Sequence, residues 1–316
     1  MKIFVWNINQ RSSGQEIPPF VSKEIIKANN ADIVVLTEFI SATNEIRIQN
    51  VHEFFNIETD DNNLRKKYDC YYNIDRKDDN GILIAIKKDF AKKKDIRRIS
   101  KIEKINSMRT EQPNFLQLDI VIDGELMSII GTRTRVTGYV ERREQILSLI
   151  EHINTLICEK IIVAGDFNNS KIYGDENKRY ADVRENYHYT SMKAISDLFD
   201  TYNYHILKDD FYNYARMDVS TPKSEPNKPT WSWVDKYRNK YKQDHIISRG
   251  VNVSATEYVW DFVNKDNGYS GKNPQDYKSS LVGYPDHAIL TANVELLDIN
   301  SKEYAENHRK KENAET

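Results

Sequence analysis

The chain has 316 residues, 39% of them hydrophobic and 30% charged, with a formal net charge of −2. That balance supports a sizeable core and excludes wholesale disorder; it fits one large domain over residues 1–298 with a charged C-terminal tail over 299–316. Near-neutral charge excludes a global basic field, the two cysteines Cys70 and Cys158 form no disulfide framework or zinc-ligand spacing, and without a signal-peptide core or membrane-spanning run the expectation is a cytoplasmic protein that engages no membrane.

Residues 2–8 alternate weakly and then turn polar, which predicts a first strand ending at Asn7 and Asn9. Pro18 and Pro19 precede Phe20, Val21, Ile25 and Ile26, a helix with proline at its start and an apolar stripe. Ala31-Asp32-Ile33-Val34-Val35-Leu36 is apolar apart from Asp32, so it reads as a buried strand that delivers Thr37 and Glu38. Residues 41–68 read as loop with a short helical piece. Tyr71–Ile74 and Gly81–Ile86 flank an Asn80-Gly81 step, and strands at 114–122 and 126–132 flank Asp123-Gly124. Both steps are hairpin signals, so antiparallel pairing is expected and a purely parallel sheet is not.

A helix over 140–158, with Thr137 as its cap and Ile146, Leu149, Ile150, Ile153 and Ile157 on one face, leads into the apolar strand Ile161–Ala164. That strand stops at Gly165 and presents Asp166, Phe167 and Asn168. Next come a helix near 190–200, a surface loop over 201–230, strands at 231–233, 243–248, 251–258 and 288–295, and a second long loop over 260–285. No internal repeat is present.

Each apolar strand therefore ends on polar cargo: Asn7 with Asn9, Glu38, Thr132 with Arg133, Asp166 with Asn168, Asp244 with His245, and Asp286 with His287. Taken singly, each has a plain explanation. Gly-Asp-x-Asn makes an ordinary turn because Asp and Asn bond their own backbone, Glu38 can cap a helix, and an Asp-His pair can be a surface pair. Taken jointly, carboxylates and amides without thiols suit a hard ion such as Mg²⁺. Hydrolysis of a phosphate ester needs that ion, a positioner for the attacking water and donors for the phosphoryl oxygens.

The ordered motifs Trp6-Asn7-Ile8-Asn9, Leu36-Thr37-Glu38, Gly165-Asp166-Phe167-Asn168, Gln243-Asp244-His245-Ile246 and Pro285-Asp286-His287 resemble the endonuclease/exonuclease/phosphatase superfamily, over residues 3 to about 295. The resemblance implies a four-layer α/β sandwich, two mixed sheets packed face to face and flanked by helices, with a site at one sheet edge. It implies Glu38 as main ligand of Mg²⁺, or of Mn²⁺ in its place, with Asn9 helping and Asp286 as a second metal-side or a structural carboxylate. Asp166 would orient or deprotonate the attacking water, with Asn168 and Asn7 holding water and phosphate. His287 would donate to a phosphate oxygen, its other nitrogen bonded to Asp244. The chain departs from the family at Gly131-Thr132-Arg133, where many members place a histidine or tyrosine. Arginine does not release its proton, so Arg133 can clamp oxygens but cannot protonate a leaving group.

For the substrate, residues 87–109 carry ten lysines and arginines against three acids, and Trp231, Trp233, Tyr237 and Tyr241 interleave with Lys236, Arg238, Lys240 and Lys242. Basic and aromatic residues together suit a nucleic-acid backbone with stacked bases, so a nuclease, DNA preferred over RNA, is expected, with Arg135, Trp231 and Trp233 on the substrate. The plain alternatives are a solvated hairpin, core tryptophans, and arginines at 133 and 135 that pair with acids. A phosphatase or phospholipase C-type branch acting on inositol phosphates or sphingomyelin stays open, although Pro229-Thr230-Trp231-Ser232 lacks the Cys-Asp-Arg signature of inositol phosphatases. A catalytically dead binding module is the third reading. The sequence names no protein partner.

Overall fold

The computed structural model describes residues 1–9, 17–28, 31–39, 67–74, 81–91, 96–99, 111–122, 124–135, 139–168, 207–223, 228–235, 237–238, 240–271 and 283–297. Fourteen strands are described: β1 (Lys2–Asn7), β2 (Ile33–Thr37), β3 (Tyr68–Ile74), β4 (Gly81–Lys87), β5 (Ile96–Ile99), β6 (Asn114–Ile122), β7 (Glu125–Arg133), β8 (Lys160–Asp166), β9 (Asp218–Ser220), β10 (Trp233–Val234), β11 (Lys240–Tyr241), β12 (Asp244–Arg249), β13 (Val251–Val259) and β14 (Ile289–Leu296). Helices α1 (Pro19–Lys27) and α2 (Tyr139–Asn154) lie between β1 and β2 and between β7 and β8, and residues 207–215 form a further helix, α3.

Two six-stranded sheets form, ordered β13-β14-β1-β2-β4-β3 and β5-β6-β7-β8-β12-β9. Each is antiparallel except for one central parallel pair, β1 with β2 and β7 with β8. Parallel neighbours need a crossover, and a helix supplies it in both sheets. The architecture is the four-layer sandwich that the motif order implied.

Side-chain alternation builds the layers. Ile3 and Val5, Ile33 and Val35, Met127 and Ile129, and Ile162 and Ala164 fill the space between the sheets. The alternate residues Phe4, Trp6, Val34 and Leu36 pack outward against Phe20, Val21 and Ile25 of α1. On the other sheet Ile130, Ile161 and Val163 pack against Ile146, Leu149, Ile150 and Ile153 of α2. Continued past the last apolar position, the inward face reaches Asn7, Thr37 and Asp166 after two residues and, beyond Gly131, Arg133 after four. The polar site is therefore the open end of the inter-sheet layer. Position 131 on this face is a glycine, where a Cβ would come within 2.7 Å of Ile82 Cγ2.

Several expectations need correction. The expected surface loop over 201–230 contains α3 and β9; Leu207, Phe211 and Ala215, spaced four residues apart, are buried against the α2 side of the sheet. Helix α2 ends at Asn154, and Ile157, expected on its apolar face, is 91% exposed. The strand expected at 231–233 begins only at Trp233, and β5 and β11 were not expected. Thr137, the hairpin residues 75–80, the helix near 190–200 and the tail fall outside the described residues.

Candidate active site

Strand direction gathers the site. The C-terminal ends of the parallel strands β1, β2, β7 and β8 lie at one edge, and the antiparallel neighbour β12 begins there, with Asp244 in register with Asp166. His287 reaches the same edge two residues before β14, pinned by a bridge to Trp233 and by a hydrogen bond of 2.9 Å from Trp6 Nε1 to its carbonyl. Ser232 sets the start of β12, its hydroxyl accepting from the backbone N–H groups of Gln243 at 2.9 Å and Asp244 at 3.1 Å.

Three strand ends turn through the left-handed region on non-glycine residues: Asn9 (φ 54°), Glu38 (φ 48°) and Asn168 (φ 48°). Such backbone costs free energy and concentrates at functional sites. Gly165 has φ 148°, and a Cβ there would lie 1.9 Å from the Thr132 carbonyl oxygen, so the bend that aims Asp166 admits only glycine.

Asp166 is fully buried and held by three amide donors. Asn7 Nδ2 donates to Oδ2 at 2.9 Å from the opposite sheet, Asn168 Nδ2 donates to the same oxygen at 3.0 Å, and the Asn168 backbone N–H donates to Oδ1 at 2.8 Å. Asn168 Nδ2 also reaches the Thr134 carbonyl at 2.8 Å, and Arg142 of α2 donates to the Asn168 carbonyl at 2.7 Å. Burial, joined by the Asp244 and Glu38 charges and opposed by His287 and Arg133, raises the Asp166 carboxyl to about 6.

His287 Nδ1 and Asp244 Oδ2 are 2.8 Å apart. Burial works against a charged ring, but the Asp244 carboxylate, helped by Asp166 and Asp286, prevails and lifts His287 to about 10, so the ring is an imidazolium at neutral pH. Its Nε2 lies 3.9 Å from Asp286 Oδ1, and Asp286 Oδ2 accepts from Trp233 Nε1 at 3.2 Å. His245, by contrast, is buried 5.6 Å from the Phe167 ring, and burial lowers it to about 3, a neutral packing residue.

Glu38 and Arg133 meet across the sheets: Arg133 Nε and Nη2 lie 2.7 and 2.6 Å from Glu38 Oε1. Arg133 Nε is also 3.9 Å from Asp166 Oδ2. Asn9 donates from its backbone to Asn7 Oδ1 at 3.0 Å and from Nδ2 to the Tyr284 carbonyl at 2.9 Å. Arg135 does not join this cluster of contacts; its Nη2 binds Glu111 at 2.9 Å and the Gln112 carbonyl at 2.7 Å. Both arginines thus pair with acids. Trp233 abuts the site, its ring 6.2 Å from His287, while Trp231 carries Lys240 Nζ 3.6 Å above its ring centroid.

Ligand atoms of Asp166, Asp244 and His287 all lie within 4.8 Å of one another. Three buried carboxylates (Glu38, Asp166, Asp244) face two buried cations (Arg133, His287), and Asp286 adds a fourth carboxylate beside His287. Asp244 Oδ1 is buried with no hydrogen-bond partner among the described residues. An acidic oxygen set with an orphaned carboxylate oxygen fits a hard divalent cation. Ser232, Thr134, Tyr284 and Arg142 were not foreseen; all act through backbone or long-range contacts that leave no local sequence signal.

The chain belongs to the endonuclease/exonuclease/phosphatase family, whose model matches residues 6–276, a family of metal-dependent phosphodiesterases, nucleases and phosphatases. Solved structures agree on the fold. ANGEL2 is similar at TM-score 0.58 and 15% identity, covering 93% of this chain and 95% of that one. The human Nocturnin catalytic domain gives 0.54 at 14% identity, covering 94% and 93%. D. rerio TDP2 gives 0.51 at 14%, covering 93% and 98%. A search of curated proteins returns no match. Among the described residues no helix is long and apolar enough to cross a membrane.

Proposed function

We propose that the protein is a divalent-metal-dependent phosphodiesterase, acting on nucleic acid. One observation carries the reading: a carboxylate held by three amide donors and an imidazolium–carboxylate pair share a single buried cluster, their ligand atoms within 4.8 Å. Asp166 accepts three hydrogen bonds, and a carboxylate has about four acceptor sites, so one remains to orient and deprotonate an attacking water. Asn7 and Asn168 hold Asp166 in line through their amide donors. His287, its Nδ1–H given to Asp244, keeps Nε2–H for a phosphoryl oxygen. Glu38 and Asp244 would hold Mg²⁺ or Mn²⁺, with Asn9 and Asp286 on the metal side; the ion supplies charge neutralisation at the phosphate. Arg133 keeps its proton at any working pH, so it can clamp phosphoryl oxygens but cannot protonate the leaving group.

Nucleic acid is preferred because Trp233 adjoins His287 and Trp231 with Lys240 extends an aromatic, basic surface from the same two-stranded ribbon. The D. rerio TDP2 structure is a complex with single strand DNA product, and the ANGEL2 structure is described as a 2′,3′-cyclic phosphatase. The test is a substrate panel with Mg²⁺, Mn²⁺ or chelator: plasmid, single-stranded DNA, RNA, a 2′,3′-cyclic nucleotide, inositol phosphates and sphingomyelin. Metal-dependent cleavage of DNA or RNA supports the reading. Activity confined to inositol phosphates or sphingomyelin moves the protein to the other branch, and inertness on the whole panel leaves a binding module.

A further inference from the structure

Arg133 is where the chain departs from the pattern it otherwise follows, and its contacts are specific. Two of its nitrogens converge on one oxygen of Glu38, at 2.7 and 2.6 Å, and both side chains are 4% exposed. The pair joins strand ends from opposite sheets, and Nε also stands 3.9 Å from Asp166. A guanidinium stays charged at any working pH, so an ion that binds Glu38 must share the carboxylate with a permanent cation. In a buried site that repulsion is weakly screened.

The guanidinium takes up part of the Glu38 charge that a divalent ion would use, and no change of pH removes it. A phosphodiester brings a negative charge of its own and acceptor oxygens for the guanidinium, so it offsets the cost of seating an ion beside Arg133. We propose that Arg133 is a positioning residue that couples metal binding to substrate binding: as the standing counter-ion of Glu38 it keeps the free site's affinity for divalent ions low until a phosphodiester supplies the compensating charge. The inference rests on the reading of a divalent-metal site, and linkage makes the coupling reciprocal, so the ion must tighten the anion by the same factor.

The experiment is titration of Mn²⁺ by calorimetry into wild type, Arg133→Gln and Arg133→Lys, with and without dimethyl phosphate as a phosphodiester anion that turns over negligibly. Wild type should bind Mn²⁺ about tenfold more tightly with the anion present, the size expected for one unit charge in a partly screened site. Arg133→Gln should bind the ion alone about tenfold more tightly and show no coupling, whereas Arg133→Lys, which keeps the charge, should keep the coupling. A gain of affinity is not what misfolding produces. Equal affinity and equal coupling in wild type and Arg133→Gln overturn the proposal while leaving a wild type that hydrolyses substrate with Mg²⁺ as the metal enzyme proposed above. Absence of Mn²⁺ binding in all three proteins overturns both.

Discussion

Asp244→Asn isolates one charge at the centre of the site while keeping shape. In the wild type the His287 ring is 5% exposed, a setting that by itself favours the neutral form, yet it is held at about 10 against an ordinary 6.5. That rise corresponds to roughly 5 kcal/mol in favour of the imidazolium, and Asp244, 2.8 Å from Nδ1, is the first of the groups that raise it. A unit charge pair at about 4 Å in an effective dielectric of about 20 is worth ~4 kcal/mol, equivalent to about three pH units. Asp244→Asn should therefore return His287 to its ordinary range or below. Because the folded pKa is raised, the pair's stabilisation is fully present below pH 6.5 and is lost as pH rises through about 10. The stability gap between wild type and variant should accordingly be widest at low pH and close in alkali. The assay is an NMR titration of the imidazole nitrogens alongside thermal melts across pH. A His287 ring that still titrates above pH 9 in Asp244→Asn refutes the reasoning.

Other consequences are as direct. Since Asp166 must be ionised to take a proton and His287 protonated to give a hydrogen bond, kcat/KM should rise with pH through about 6 and fall approaching about 10; a profile with no fall below the first value or above the second contradicts the roles. Gly165→Ala drives a Cβ to 1.9 Å from a backbone oxygen and should cost more than about 4 kcal/mol, read as loss of the folded melt. Arg135→Ala removes the bonds to Glu111 and Gln112 and should cost about 1 kcal/mol in a denaturant melt, leaving kcat for a small phosphodiester unchanged; a collapse of kcat would place Arg135 on the reacting group.

The sequence made strands legible wherever the apolar run was long and β-branched. Ile33–Thr37 and Lys160–Asp166 are buried along their whole length, so they read as strands without reference to neighbours. Ile96–Ile99, Asp218–Ser220 and Lys240–Tyr241 are short and partly exposed; they are strands only because β6, β12 and β10 pair with them, information that resides elsewhere in the chain. Leu207, Phe211 and Ala215 did carry a helical period, masked by the tyrosines and acids around them. Polar residues at strand ends were legible as cargo, whereas their partners were not. The Glu38–Arg133 pair spans 95 residues and Asn7–Asp166 spans 159, distances over which only the register of two sheets decides who meets.

The central claim, that Asp166 and His287 act together in metal-dependent phosphodiester hydrolysis, is tested most directly on bis(p-nitrophenyl) phosphate with Mg²⁺ or Mn²⁺. Wild type should release nitrophenolate only with the ion. Asp166→Asn and His287→Gln should each lose about 10²-fold or more in kcat while retaining a cooperative melt. Hydrolysis that persists in chelator, or that survives both substitutions, would contradict the account.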